Sequence, residues 1–238
     1  MFCFLANFQY ICSKKSIIME RFIMQDLIAW KNREDRKPLI LLGARQVGKT
    51  YILKEFGQRE FENVAYINCD NNAMVKDLFA TDYNIERILL TIGAITGVNI
   101  QAGKTLIIMD EIQELHRGLA SLKYFCEDAR EYHVAVAGSL LGLTLHQGES
   151  YPVGKVNTLE MFPMTYEEFL LARDFKQRAD LLQSGMWDVV NSLRTLYIQH
   201  LREYYLVGGM PEAVKKFIDT NDANAVREVQ KEILHAYE

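Results

Sequence analysis

The eight residues Gly43-Ala44-Arg45-Gln46-Val47-Gly48-Lys49-Thr50 constrain this 238-residue chain more than any other stretch. They have the spacing of a phosphate-binding loop: Gly, four residues, then Gly-Lys-Thr. The apolar run Leu39 to Leu42 precedes them, and a helical pattern from Lys49 to Phe56 follows. Such a loop must wrap a phosphate with successive backbone N–H groups pointing inward, and glycine permits that backbone shape. The helix that opens directly after it adds a positive dipole end. Every residue from Gly43 to Thr50 is therefore expected to line a nucleotide phosphate. Lys49 is expected to reach the β- and γ-phosphates, and the Thr50 hydroxyl to ligate Mg²⁺. A strand, a tight loop and a helix must follow one another without spacing, which places the chain in the α/β class.

A second element fits the first. Leu106-Ile107-Ile108-Met109 reads as a buried strand that ends in Asp110-Glu111. Ligands bind at the C-terminal edge of open α/β sheets. Asp110 there suits a Mg²⁺ shell, and Glu111 is placed to orient or deprotonate an attacking water. Ser139 follows the Val134–Ala137 strand, where it either holds that water or caps the next segment. Further strands are expected at Asn63–Ile67 and Val156–Met161, and helices at Asn84–Ile95 and along the face Ile112, Leu115, Leu119, Leu122 and Cys126. Strands alternating with helices predict a parallel sheet covered on both faces. After Pro163 only helical segments follow: Tyr166–Ala172, Trp187–Leu206, Glu212–Ile218 and Ala223–Tyr237.

With 49% hydrophobic and 24% charged residues the chain has globular composition. Its length predicts one large domain and a small one. We expect a core over 19–163 and a helical lid over 164–238, cut short at its end. Residues 1–18 read as a dispensable leader with a second start at Met19. Their apolar run is too short to span a membrane, and Lys14 and Lys15 follow it where a signal peptide needs its charge in front. Cys3, Cys12, Cys69 and Cys126 show no close pairing, which suits free thiols in a reducing, cytoplasmic setting. Net charge is -4. The lid segment from Met186 carries six basic and eight acidic residues, so a nucleic-acid partner has no electrostatic support. ATP is the expected ligand, and an unidentified protein the expected macromolecular partner.

Several stretches together resemble a prokaryotic AAA-type ATPase family related to archaeal and STAND ATPases. They are PLILLGARQVGKTYILKEFG, TLIIMDEIQELHRGLASLKYFCED, VAVAGSLLG, PVGKV, FPMTYEEFL and YLVGGMPEAV. The resemblance implies a five-stranded P-loop core whose Asp110 strand lies beside the strand ending at Ser139. It also implies a small lid, helical or winged-helix, and often a further C-terminal domain. From the family, Lys155 occupies the slot of an arginine that reaches a neighbouring subunit's γ-phosphate, and lysine lacks the planar fork. Gly209-Met210-Pro211 matches a lid motif in which the proline contacts adenine. By local rules alone, Gly208 and Gly209 end one helix and Pro211 starts the next.

Two functions follow. One is Mg²⁺-dependent ATP hydrolysis coupled to a conformational change. The other is a nucleotide-gated interaction module that hydrolyses weakly or not at all, with association with DNA as an open variant that the charge does not support. A GTPase would need a guanine-reading Asn-Lys-x-Asp, and none is present. Other residues read blandly. Arg21 is expected to be a solvated helix residue, with an approach to base or phosphates as the alternative. Glu167-Glu168 reads as a solvated face, and Trp187 and Tyr204-Tyr205 as lid core. The histidines show no metal spacing. His116-Arg117, just past the acids, is placed to meet a ligand or partner.

Overall fold

The computed structural model describes residues 19–70, 72–79, 82–138 and 152–237. Five strands, β1 (Leu39–Gly43), β2 (Asn63–Asn68), β3 (Thr105–Asp110), β4 (His133–Ala137) and β5 (Asn157–Met161), form one sheet in the order β2-β3-β4-β1-β5. Every pairing is parallel. All residues of β3 and β4 are buried. Alternate side chains divide between two cores, as the period-2 geometry of a strand requires. Ile40, Ile107, Met109, Val134 and Val136 face one cluster, which also holds Ile88, Ile92, Leu119 and Leu122. Leu39, Leu41, Leu106, Ile108, Ala135 and Ala137 face the other, with Leu27, Trp30, Ile52, Leu53 and Phe56.

Helices α1 (Ile23–Lys31) and α2 (Lys49–Glu60) cover the second face. Helices α3 (Ile85–Thr96) and α4 (Gly118–Asp128) cover the first. The single helix expected from Ile112 to Cys126 is broken. A 3₁₀ turn spans Ile112–Glu114, and α4 begins only after Arg117, which sits in the left-handed region at φ 63°. The apolar spacing survives because both pieces press onto the same core, so periodicity alone does not reveal the break.

The described residues from Met164 on form a helical part, here called the lid after the expectation from sequence. Its helices are α5 (Tyr166–Ala172), α6 (Lys176–Ser184), α7 (Trp187–Ser192), α8 (Arg194–Val207), α9 (Pro211–Thr220) and α10 (Ala223–His235). Among them α6 lacks an expectation from sequence, and the segment expected over Trp187–Leu206 splits at Leu193. No strand lies among the described residues of this part, so the winged-helix form is not built there. Met164, Phe169, Val207, Ala213, Val214, Phe217 and Val226 make its core. Trp187 and Tyr205 do not join it: they are 61% and 75% exposed, whereas Tyr204 packs against Phe169. Just past the junction with β5, the Met164 N–H donates to the Gly209 carbonyl at 2.7 Å, which ties the first residue of this part to the turn before α9. No helix among the described residues is long and apolar enough to cross a membrane.

Candidate functional site

The loop after β1 lies at the C-terminal edge of the sheet. Gly48, at φ 99°, is the N-cap of α2, and Gln46 also has positive φ. A left-handed backbone at two nearby positions turns the chain tightly enough for the helix to begin at Lys49. Gly43 is needed for a different reason: a Cβ there would stand 2.4 Å from the Met161 carbonyl oxygen of β5. The Lys49 ammonium is buried and folds back onto its own loop, donating to the carbonyls of Gly43 at 3.0 Å and Ala44 at 2.8 Å. Burial lowers its pKa. Glu111 and Asp110 oppose that shift, and Arg45 adds to it.

Asp110 closes β3 beside the loop. Its Oδ2 accepts from the Thr50 hydroxyl at 2.5 Å and from the Tyr66 phenol at 3.3 Å. The two residues expected to share a Mg²⁺ shell are therefore in direct contact. These oxygens are hard donors of the kind Mg²⁺ takes. The surrounding field also suits a cation. Burial, then the charges of Asp110 and Glu111, push the Cys69 thiol up to about 12. Burial and Asp110 do the same to the Tyr66 phenol, also to about 12. Both groups stay protonated at neutral pH and add no charge of their own beside the loop.

Glu111 stands next to Asp110 with φ 52°. Its Oε2 accepts from the Gln113 side-chain amide at 2.5 Å. The Gln113 Oε1 is buried without a partner. The amide is thus committed to the carboxylate at the expense of its own oxygen. Pro211 lies at N1 of α9, with its Cγ 3.8 Å from the position a Gly48 Cβ would take. The lid proline and the loop are brought together. The end of α10 reaches the loop too: Tyr237 donates to the Arg45 carbonyl at 2.8 Å. Ser139 lies outside the described residues. Lys155 lies just before β5, at the other end of the sheet, paired with Glu127 at 2.7 Å. Arg117 stacks over the Tyr83 ring and donates to its hydroxyl at 2.9 Å.

Two expectations are overturned by burial. Arg21 is no solvated helix residue: it is 7% exposed and touches the loop. Glu168 is no solvated face: it is 3% exposed and completes a capping box with Thr165 at the start of α5. The Thr165-Tyr166-Glu167-Glu168 spacing carried that signal. Arg21, Tyr66 and Gln113 had no comparable local signal, because their partners are distant in sequence or lie across a turn.

The model of the AAA domain family matches residues 35–170, more than half of the chain. Among solved structures, a lysine-to-arginine variant of RuvB from Thermotoga maritima is 21% identical, covering 69% of this chain and 51% of its own, with a TM-score of 0.40. Cdc6p from Pyrobaculum aerophilum is 14% identical, covering 63% and 47%, with a TM-score of 0.39. The chain therefore spans about half the length of these structures. No curated protein matches it. With a P-loop after β1, an acid pair after β3 and that match, the chain belongs to the AAA domain family.

Proposed function

We propose that the chain binds ATP with Mg²⁺ between its core, residues 19–163, and its lid, residues 164–238, and hydrolyses it to ADP and phosphate. The observation that carries this is the 2.5 Å contact between the Thr50 hydroxyl and the Asp110 carboxylate, beside a buried lysine on a glycine loop. The backbone N–H groups from Ala44 to Gly48 would cradle the phosphates. The Lys49 ammonium would exchange its two loop carbonyls for β- and γ-phosphate oxygens, which satisfy a cation better than neutral carbonyls do. Thr50 and Asp110 would hold Mg²⁺, which when bound neutralises phosphate charge. Glu111 would take the proton of the attacking water. Pro211 would close on the base from the lid, and Ser139 would hold the water from the end of β4.

A second reading has its own support. The Gln113 amide occupies the Glu111 carboxylate, and Lys155 is tied to Glu127. A site so arranged suits a nucleotide-gated module that turns over slowly until a protein partner, or a second copy, rearranges it. The free thiols of Cys69 and Cys126 fit a reducing, cytoplasmic setting.

The test is Mg²⁺-dependent ATP turnover across protein concentrations, beside nucleotide binding. Lys49→Ala is expected to lose binding. Glu111→Gln is expected to bind and not turn over, a loss of about 10²-fold or more for a general base. Turnover in Glu111→Gln equal to wild type would refute the assigned base. ATP binding with no turnover in wild type would leave the gated module as the function.

A further inference from the structure

Arg21 lies just before α1, and each nitrogen of its guanidinium meets a different part of the fold. Nε donates to Glu168 Oε1 of α5 at 3.2 Å. Nη1 donates to the Val47 carbonyl of the phosphate loop at 3.2 Å. Nη2 donates to the Phe162 carbonyl, between β5 and the lid hinge, at 2.6 Å. The two side chains are 5% and 4% exposed. Glu168 is itself fixed: Oε1 also accepts the Phe22 N–H at 2.7 Å, and Oε2 the Thr165 N–H at 2.9 Å. The guanidinium also stands 4.0 Å from where a Gly48 Cβ would be, beside Pro211.

We propose that Arg21 is a positioning residue of the nucleotide site, a buried strut that sets the phosphate loop against the lid through Val47, Phe162 and Glu168. This rests on the nucleotide-binding reading above. A planar fork that spans three directions does this, and a lysine ammonium on a single flexible stem does not. An ion pair meant only to hold α1 to α5 would need the Nε contact alone. The two carbonyl contacts lie on segments that must keep their spacing while a nucleotide sits between loop and lid. A lid that shifts on α5 therefore pulls on the Val47 carbonyl, and a phosphate that reshapes the loop pulls on α5.

The experiment measures Mg²⁺-ATP affinity of the full chain by the nucleotide-induced rise in Tm. Wild type is compared with Lys49→Ala, Arg21→Lys, and the paired change Arg21→Met with Glu168→Met. Replacing a buried ion pair by apolar side chains of similar size is often neutral for folding, but Glu168→Met also removes the acceptor of the Phe22 and Thr165 N–H groups. Arg21→Lys, which leaves Glu168 in place, is therefore the primary variant, and the paired change is read against its own Tm without nucleotide. Both Arg21 variants are expected to unfold cooperatively and to bind ATP about tenfold or more weakly, the scale of a small misplacement of binding groups. A folded Arg21→Lys or paired variant with affinity within about twofold of wild type overturns the proposal. So does an Arg21→Lys chain that does not fold, because the residue is then a fold element. Absence of any ATP response in wild type sinks the nucleotide reading itself. A response in wild type that only Lys49→Ala abolishes sinks the strut alone.

Discussion

Gly43→Ala tests how closely the loop is built against the sheet. Gly43 and Met161 face each other in the β1–β5 register. A methyl group at position 43 would meet the Met161 carbonyl oxygen at 2.4 Å, where real contacts begin near 3.0 Å. The obstacle is backbone, so it cannot rotate away. Either β5 or the loop must move by about 0.6 Å or more. Overpacking of this kind costs about 1–3 kcal/mol. For a chain this long that is roughly 2–4 °C of Tm per kcal/mol. The functional cost should be of the same order as the stability cost, because a misplacement of about 1 Å can lower activity about 10²-fold, or about 2.7 kcal/mol. Gly48→Ala is the matched comparison. Its nearest neighbour would lie 3.6 Å away, so it adds strain at φ 99° without a clash. Differential scanning fluorimetry and ATP titration on both variants decide the matter. Gly43→Ala should bind ATP more weakly than Gly48→Ala. Equal affinity in Gly43→Ala and wild type, with unchanged Tm, would refute the reasoning.

Other consequences follow from the same geometry. Burial, then the charges of Arg36 and Lys31, lower the His133 pKa from 6.5 to about 4. The unfolded chain therefore binds a proton that the folded chain refuses. Stability is whole above about pH 6.5, falls as pH drops toward 4, and is lower by about 2 kcal/mol at pH 5. Arg36 Nη1 lies 2.6 Å from His133 Nε2; His133→Gln, which can still accept from it, should lose that much less between pH 7.5 and 5 in urea melts, and parallel losses would refute this. Cys69, 2% exposed with its thiol near 12, should resist alkylation at pH 8 in the native state and react freely in denaturant. Native labelling at the free-thiol rate would contradict its burial. Tyr66→Phe removes a donor to Asp110 and keeps the ring under the Lys54 ammonium. Loss of such an outer partner should weaken Mg²⁺-dependent nucleotide binding about tenfold, read as the Mg²⁺ midpoint in an ATP titration. No shift in that midpoint would remove Tyr66 from the site.

The sequence by itself determined the architecture, and it pointed to the loop and acids that the fold sets side by side in the candidate site. The glycine loop between strand and helix is a local requirement, met within the residues from Leu39 to Phe56. Continuous apolar runs marked β3 and β4 as strands buried on both faces, and an acid pair at the end of β3 placed a carboxylate at the ligand edge. Side-chain periodicity is a short-range property, so these features are written where they act. It could not show that the run from Ile112 to Cys126 breaks at Arg117, since both pieces serve one core. Nor could it show which charged side chains are buried. Arg21 and Glu168 stand 147 positions apart, and only the folded sheet and the docked lid bring them within 3.2 Å. The same is true of Tyr66 and Asp110, joined by strand pairing, and of Tyr237 and Arg45, joined by the lid's return. A charged residue reads as solvated until tertiary structure supplies partners for each of its polar atoms. The cost of burying charge unpaired is what makes those partners decide its place.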